Sequence, residues 1–151
     1  PLSNDINFDG IVILSYDLKM QVNCQSAASI MFVSAANKAD LNNYLYFWVG
    51  TWNKEVVYIK PYNSTKDEVS LNSSNIPIVN EDGVKYAYIS SIIVVENNVA
   101  TFYYKNLSGN FIKVGIIDRG DDITGAYIRS ADHGGSWSYF NLKVFEARSI
   151  S

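Results

Sequence analysis

The chain holds one histidine, His133, and one cysteine, Cys24. An imidazole and a thiol are the usual parts of a nucleophilic site, and two arrangements can be written: a Cys24–His133 dyad, or Ser136–His133–Asp132. Triad members normally arrive from separate parts of a chain, because sequence neighbours seldom face one another correctly. Gly134-Gly135-Ser136-Trp137-Ser138 also lacks the flanking glycines of a nucleophile elbow. One His and one Cys cannot complete the four ligands of a zinc site. Asp118, Asp121 and Asp122 cluster in one turn, with Asp132 further on, and oxygen ligands of that kind suit calcium. They follow no EF-hand spacing, so a solvated acidic turn is the better reading. Glycoside hydrolysis needs two facing carboxyl groups, yet Asp5, Asp9, Asp67, Glu68, Glu81 and Asp82 fall in expected turns. The residues therefore point away from an enzyme, and they call for no metal and no cofactor.

The aromatic residues offer more. They make up 14% of the chain and include 11 Tyr and 3 Trp. Trp48 lies in the apolar run Tyr44-Leu45-Tyr46-Phe47-Trp48-Val49 and is expected in the core. Trp52 follows Gly50 in an expected turn, and Trp137 follows Gly134-Gly135-Ser136. An indole at a loop tip offers a flat apolar face to sugar C–H groups, while neighbouring polar side chains bond hydroxyls. Arg129, Asp132, His133, Ser136 and Trp137 form one candidate ligand site of that type. Arg129 would suit a carboxylate such as that of sialic acid. Trp52 and Asn53 form a second candidate. The competing reading has Trp137 starting a strand and buried. Arg119-Gly120-Asp121 spells an integrin-recognition tripeptide in a turn, a signal only three residues long. Asn63-Ser64-Thr65, Asn72-Ser73-Ser74 and Asn106-Leu107-Ser108 are glycosylation sequons in expected loops.

The elements that must carry these residues read as strands. Ile92-Ile93-Val94-Val95 and Thr101-Phe102-Tyr103-Tyr104 flank Asn97-Asn98, and Asn tolerates the positive φ of a two-residue hairpin turn. A further turn at Leu107-Ser108-Gly109-Asn110 leads to Phe111–Ile117. Earlier in the chain, Ile11–Tyr16 reads as a strand covered on both faces, and Leu18, Met20 and Val22 alternate with polar residues. Ser29–Val33 and Tyr44–Val49 follow. Gly50-Thr51-Trp52-Asn53 is expected to turn the chain back into Glu55–Ile59, which Pro61 ends. Asn63–Asn75 reads as the longest loop and Ile76–Val79 as at most an edge strand. Asn80-Glu81-Asp82-Gly83 is a turn with Gly in the left-handed position. Ile123–Ile128 and Trp137–Phe145 are the last strands. Ala35–Leu41 is the only stretch with helical character, and it is too short to count on.

About ten short strands joined by polar turns predict an all-β protein, an antiparallel two-sheet β-sandwich of Greek-key or jelly-roll type. Residues 1–151 read as one domain, with 1–8 a lead-in arm, and Pro1-Leu2-Ser3 suggests the C-terminal head of a longer chain. The net charge is −3, from 12 Lys and Arg against 15 Asp and Glu. That balance argues against nucleic acid as a partner, and no stretch is long and apolar enough for membrane insertion. A lone Cys24, between Asn23 and Gln25, excludes an intrachain disulfide and is expected as a small buried hydrophobe. In this overall character (all-β, rich in Asn, Ser and Tyr, poor in Cys) the chain resembles bacterial or fungal lectins and the receptor-binding heads of viral or phage fibres. The resemblance implies a non-enzymatic attachment domain, extracellular or on a virion surface, that binds a cell-surface glycan or glycoprotein receptor. Strands apolar on both faces add the expectation of a homo-oligomer, a trimer for a fibre head. The alternatives are a structural or assembly β-domain without ligand, and a small glycoside hydrolase.

Overall fold

A computed structural model describes residues 8–34, 45–61, 68–118, 122–132 and 138–147. Within them the protein is all-β, with eleven strands and no helix. The strands are β1 (Ile11–Gln21), β2 (Gln25–Ser34), β3 (Leu45–Trp52), β4 (Val57–Pro61), β5 (Val69–Leu71), β6 (Ile78–Glu81), β7 (Val84–Glu96), β8 (Val99–Lys105), β9 (Phe111–Ile117), β10 (Ile123–Asp132) and β11 (Ser138–Ala147). They form two antiparallel sheets. One has the order β11-β1-β7-β8-β9, with β6 sharing the β8 edge of the long β7; the other runs β10-β2-β3-β4-β5. The expected β-sandwich is thus the observed fold.

The alternation of side chains decides which face is inside. Val12, Leu14, Tyr16, Leu18 and Met20 of β1 are all buried, while Ile11, Ile13 and Ser15 between them are only half-buried. The expectation that Ile11–Tyr16 is covered on both faces gives way to a single longer strand with one wet side. Its inward row meets Ile30 and Phe32 of β2, Phe47 and Val49 of β3, and Phe102 of β8 in one continuous core. Phe47 and Phe102 join the two sheets directly, with ring centroids 5.1 Å apart. Each such ring or aliphatic side chain contributes about 1.5–3 kcal/mol by leaving water, so a core of this size holds the fold without a disulfide.

Turn chemistry sets the registers. Asn97 and Asn98 both have positive φ, 52° and 62°, and connect Glu96 to its partner Val99 as a two-residue hairpin. Asp82 and Gly83 do the same between Glu81 and Val84. Glu81 then fastens the short β6 to its neighbours: its carboxylate takes a 2.7 Å bond from the Lys19 ammonium and a bond from the Tyr88 hydroxyl. Lys19 first, and Tyr88 with it, hold the Glu81 carboxyl below the usual range.

Four local expectations are corrected. The loop expected over Asn63–Asn75 contains β5, whose Leu71 is buried beside Val57. Ile76, expected on an edge strand, precedes β6 and is buried in the core. Glu55 and Val56 lie in the turn before β4, because β3 runs on through Gly50, Thr51 and Trp52. Cys24 is half-buried in the connection between β1 and β2, where its thiol reaches the Gln21 carbonyl at 3.3 Å. Ala35–Leu41 lies outside the described residues.

Candidate functional site

The continuation of β3 changes where its tryptophans point. Phe47, Val49 and Thr51 face the core, so Tyr46, Trp48, Gly50 and Trp52 form the outward row. Trp48 is therefore not a core residue, contrary to expectation. It is half-buried on the outer face, packed against Met31 and Tyr46. The room for its ring comes from Gly50. A Cβ at that glycine would stand 2.6 Å from Trp48 Cη2 and 2.7 Å from the Ser26 carbonyl oxygen, closer than atoms approach. Only a residue without a side chain lets the indole lie along the strand there.

Trp52 ends the same row and is 60% exposed. It belongs to a strand end and not to a turn, and its position is tightly set. Thr51, buried beside it, donates to the Cys24 carbonyl at 2.9 Å and accepts from the Ser26 amide at 3.2 Å. The amide of Asn53 donates to the Cys24 carbonyl at 3.0 Å, and that of Asn23 to the Lys54 carbonyl at 3.0 Å. Asn23 and Asn53 adopt positive φ, 61° and 58°, which Asn accepts more readily than most residues. A side chain this apolar, held out in water by a rigid frame, is the informative kind of exposure.

Between Trp48 and Trp52 lies an open groove of about 320 Å³, completed by Lys54, Tyr58, Lys60 and Glu68. Register explains the set. Gly50 pairs with Tyr58 and Trp48 with Lys60, so both β4 side chains stand on the outer face beside the β3 row. The Lys60 ammonium is 5.8 Å from the Trp48 ring centroid and 3.9 Å from the Glu68 carboxylate. Two indoles and a phenol supply apolar faces, and two ammonium groups and a carboxylate supply directional bonds. Such a lining offers both stacking and hydrogen-bonding groups to whatever enters the groove.

The described sequence candidates on β10 are related to β3 only through the register of β2. Trp52 stands opposite Gln25 on one side of β2, and Asp132 stands opposite Ser26 on the other. The two positions are thus about two strand spacings, or 10 Å, apart. Arg129 is in register with Ser29, further along β10. Asp132 ends β10 and so belongs to a strand, not to the glycine-rich loop in which it was expected. β11 is described from Ser138, opposite Met20, and runs to Ala147, two residues beyond the expected end at Phe145. His133, Ser136 and Trp137 lie outside the described residues, as do Arg119-Gly120-Asp121. Trp48, Tyr58, Lys54, Lys60 and Glu68 were missed by sequence reading. Alternation through Gly50 could have found Trp48, since it puts Trp48 and Trp52 on one face and Phe47 and Val49 on the other.

A second groove, of about 410 Å³, lies on the opposite sheet between Pro77, Tyr88, Ser90 and the turn from Lys105 to Gly109. Its one aromatic ring is tied through its hydroxyl to Glu81, and it contains no indole. Among the described residues, no three His, Cys, Asp or Glu side chains converge to hold a metal ion. No helix of the described residues is long and apolar enough to cross a membrane. Comparison with protein-family models, with curated proteins and with solved structures finds no match to this chain.

Proposed function

We propose that the protein is a non-enzymatic recognition domain that binds glycans of a cell surface, as lectins and fibre heads do, through the outer face of β3 and β4. The observation that carries this reading is Trp52, a rigidly framed and largely exposed indole beside the half-buried Trp48. Pyranose rings present a patch of C–H groups that stacks on such a face, and their hydroxyls pair with flanking charged and polar groups. A groove of about 320 Å³ is at the small end for ligand sites and suits one or two sugar units. An extracellular or virion-surface location follows from the ligand. Arg129, Asp132, His133, Ser136 and Trp137 are kept as a proposed extension of the site on their residue types alone.

Self-association goes with this reading. Ile13, Val94 and Thr101, in register across β1, β7 and β8, are half-buried on the outer face of the other sheet, and their neighbour Ile116 on β9 is 47% exposed. A homo-oligomer, with three copies expected, would cover that row and leave the Trp52 face free.

The test is a glycan array probed with the protein and with Trp52→Ala. The natural protein is expected to give reproducible hits and the variant to lose them, a deficit on the order of 1–2 kcal/mol in binding. Because Trp52 is exposed, the variant should melt within about 0.5 kcal/mol of the natural protein. An array without hits rejects the reading. Light scattering at micromolar concentration tests the oligomer separately.

A further inference from the structure

Resting on the glycan-binding reading, we infer that the groove between Trp48 and Trp52 selects an anionic sugar, one carrying a carboxylate or sulfate, and that Lys60 and Lys54 are the groups that select it. Two ammonium groups face one carboxylate in the lining, so the groove is locally positive on a chain whose net charge is −3. The state of Lys60 is the telling part. Lys19 meets Glu81 at 2.7 Å and Lys85 meets Glu55 at 2.6 Å, both in full hydrogen-bond contact. Lys60 stands 3.9 Å from Glu68, too far for a hydrogen bond, so its ammonium keeps its donors for another acceptor.

Its placement fits that use. Lys60 projects from β4 in register with Trp48, with its ammonium near that ring, while Lys54 follows Trp52 in the turn. An anionic sugar stacked on Trp52 would therefore find a cation at each end of the groove. Glu68 would repel an anion bound close to it, and this favours an acidic group seated towards Lys54 and the near side of Lys60. Lysine ammonium groups act as point charges and accept carboxylate and sulfate alike.

The test measures binding of the whole domain by intrinsic tryptophan fluorescence. The probes are lactose, sialyllactose, a glucuronate-terminated oligosaccharide and a sulfated galactose, at low and high salt. Expected is binding of at least one anionic probe about tenfold tighter than lactose, weakened by salt. Lys60→Gln and Lys54→Gln should each weaken the anionic probe several-fold more than they weaken lactose. A response to sialyllactose or glucuronate assigns a carboxylate, and a response to sulfated galactose alone assigns a sulfate. Lactose binding equal to that of all anionic probes, or anionic binding untouched by both substitutions, overturns the inference and leaves glycan recognition standing. If no probe binds and the array is also blank, both are overturned together. Melting curves of each variant confirm that the fold is intact.

Discussion

At the scale of single residues, two positions show how burial turns chemistry on or off. Gly50 is the floor under Trp48, and the atoms that a new Cβ would strike are an indole and a strand carbonyl. The indole can swing, but the Ser26 carbonyl belongs to the β2 backbone and cannot retreat cheaply. Gly50→Ala is therefore expected to cost about 1–3 kcal/mol, measured by denaturant unfolding, and to displace Trp48 with a shift in its fluorescence. Tyr16 shows the opposite use of burial. Its phenol lies inside the core opposite Ser91, and desolvation raises its pKa far above the ordinary value, the Ser91 hydroxyl offsetting this only in part. Below a pH of about 10 neither state of the chain ionises this group, and its contribution to stability is complete. Above that, the unfolded chain can release the proton and the folded chain cannot, so stability falls as pH rises. Tyr16→Phe removes the ionisable hydroxyl and should change stability by less than about 1 kcal/mol at neutral pH. It should also lose less than the natural protein between about pH 9 and 11, by up to about 1.4 kcal/mol per pH unit. Equal slopes in urea titrations across that range would show that the phenol ionises freely in the folded state.

At the scale of elements, the hairpin of β7 and β8 does more than reverse the chain. Asn98 accepts from the Ile123 amide at 3.0 Å and donates to Asp122 at 3.0 Å, so the tip of one sheet caps the first residue of β10 in the other. Asn98→Gly keeps the positive φ and removes both bonds. It is expected to lower stability by about 1–2 kcal/mol in denaturant unfolding, whereas Asn97→Gly should change it by less than about 0.5. The turn itself was legible in the sequence, since Asn-Asn between branched residues has few other readings. The capping was not, because nothing local tells Asn98 which strand end it will meet. The same limit explains the tryptophans. Trp48 sits in an apolar run, and composition alone sent it to the core; its true side follows only once β3 is known to continue through Gly50. A glycine after an aromatic run reads as a turn, and here it serves as clearance for a ring. β5 was hidden for a related reason: three residues in a Ser- and Asn-rich stretch have no period to display, and their strand character comes from pairing with β4.

At the scale of the whole molecule, strand order places the two ends of the described chain together. β1 lies between β7 and β11, and β2 lies between β3 and β10. The ribbon of β1 with β11 in one sheet is thus joined to the ribbon of β2 with β10 in the other by the connection at Val22–Cys24. That is why residues as distant in sequence as Trp52 and Asp132 flank one strand, and why a site there could be assembled from sequence only by guesswork. The arrangement also sets a timetable. Of the described strands β1 is made first, yet one of its neighbours is the last of them, with Ile11 paired to Ala147. Closing so long a loop must precede the contacts that reward it, and sheets of this kind refold in about milliseconds to seconds, not microseconds. Stopped-flow tryptophan fluorescence should find the main phase in that range. On the ribosome, the same geometry leaves β1 with an open backbone edge until β11 emerges. A chain shortened before Ser138 would keep that edge for good, and it should pair with other copies of itself.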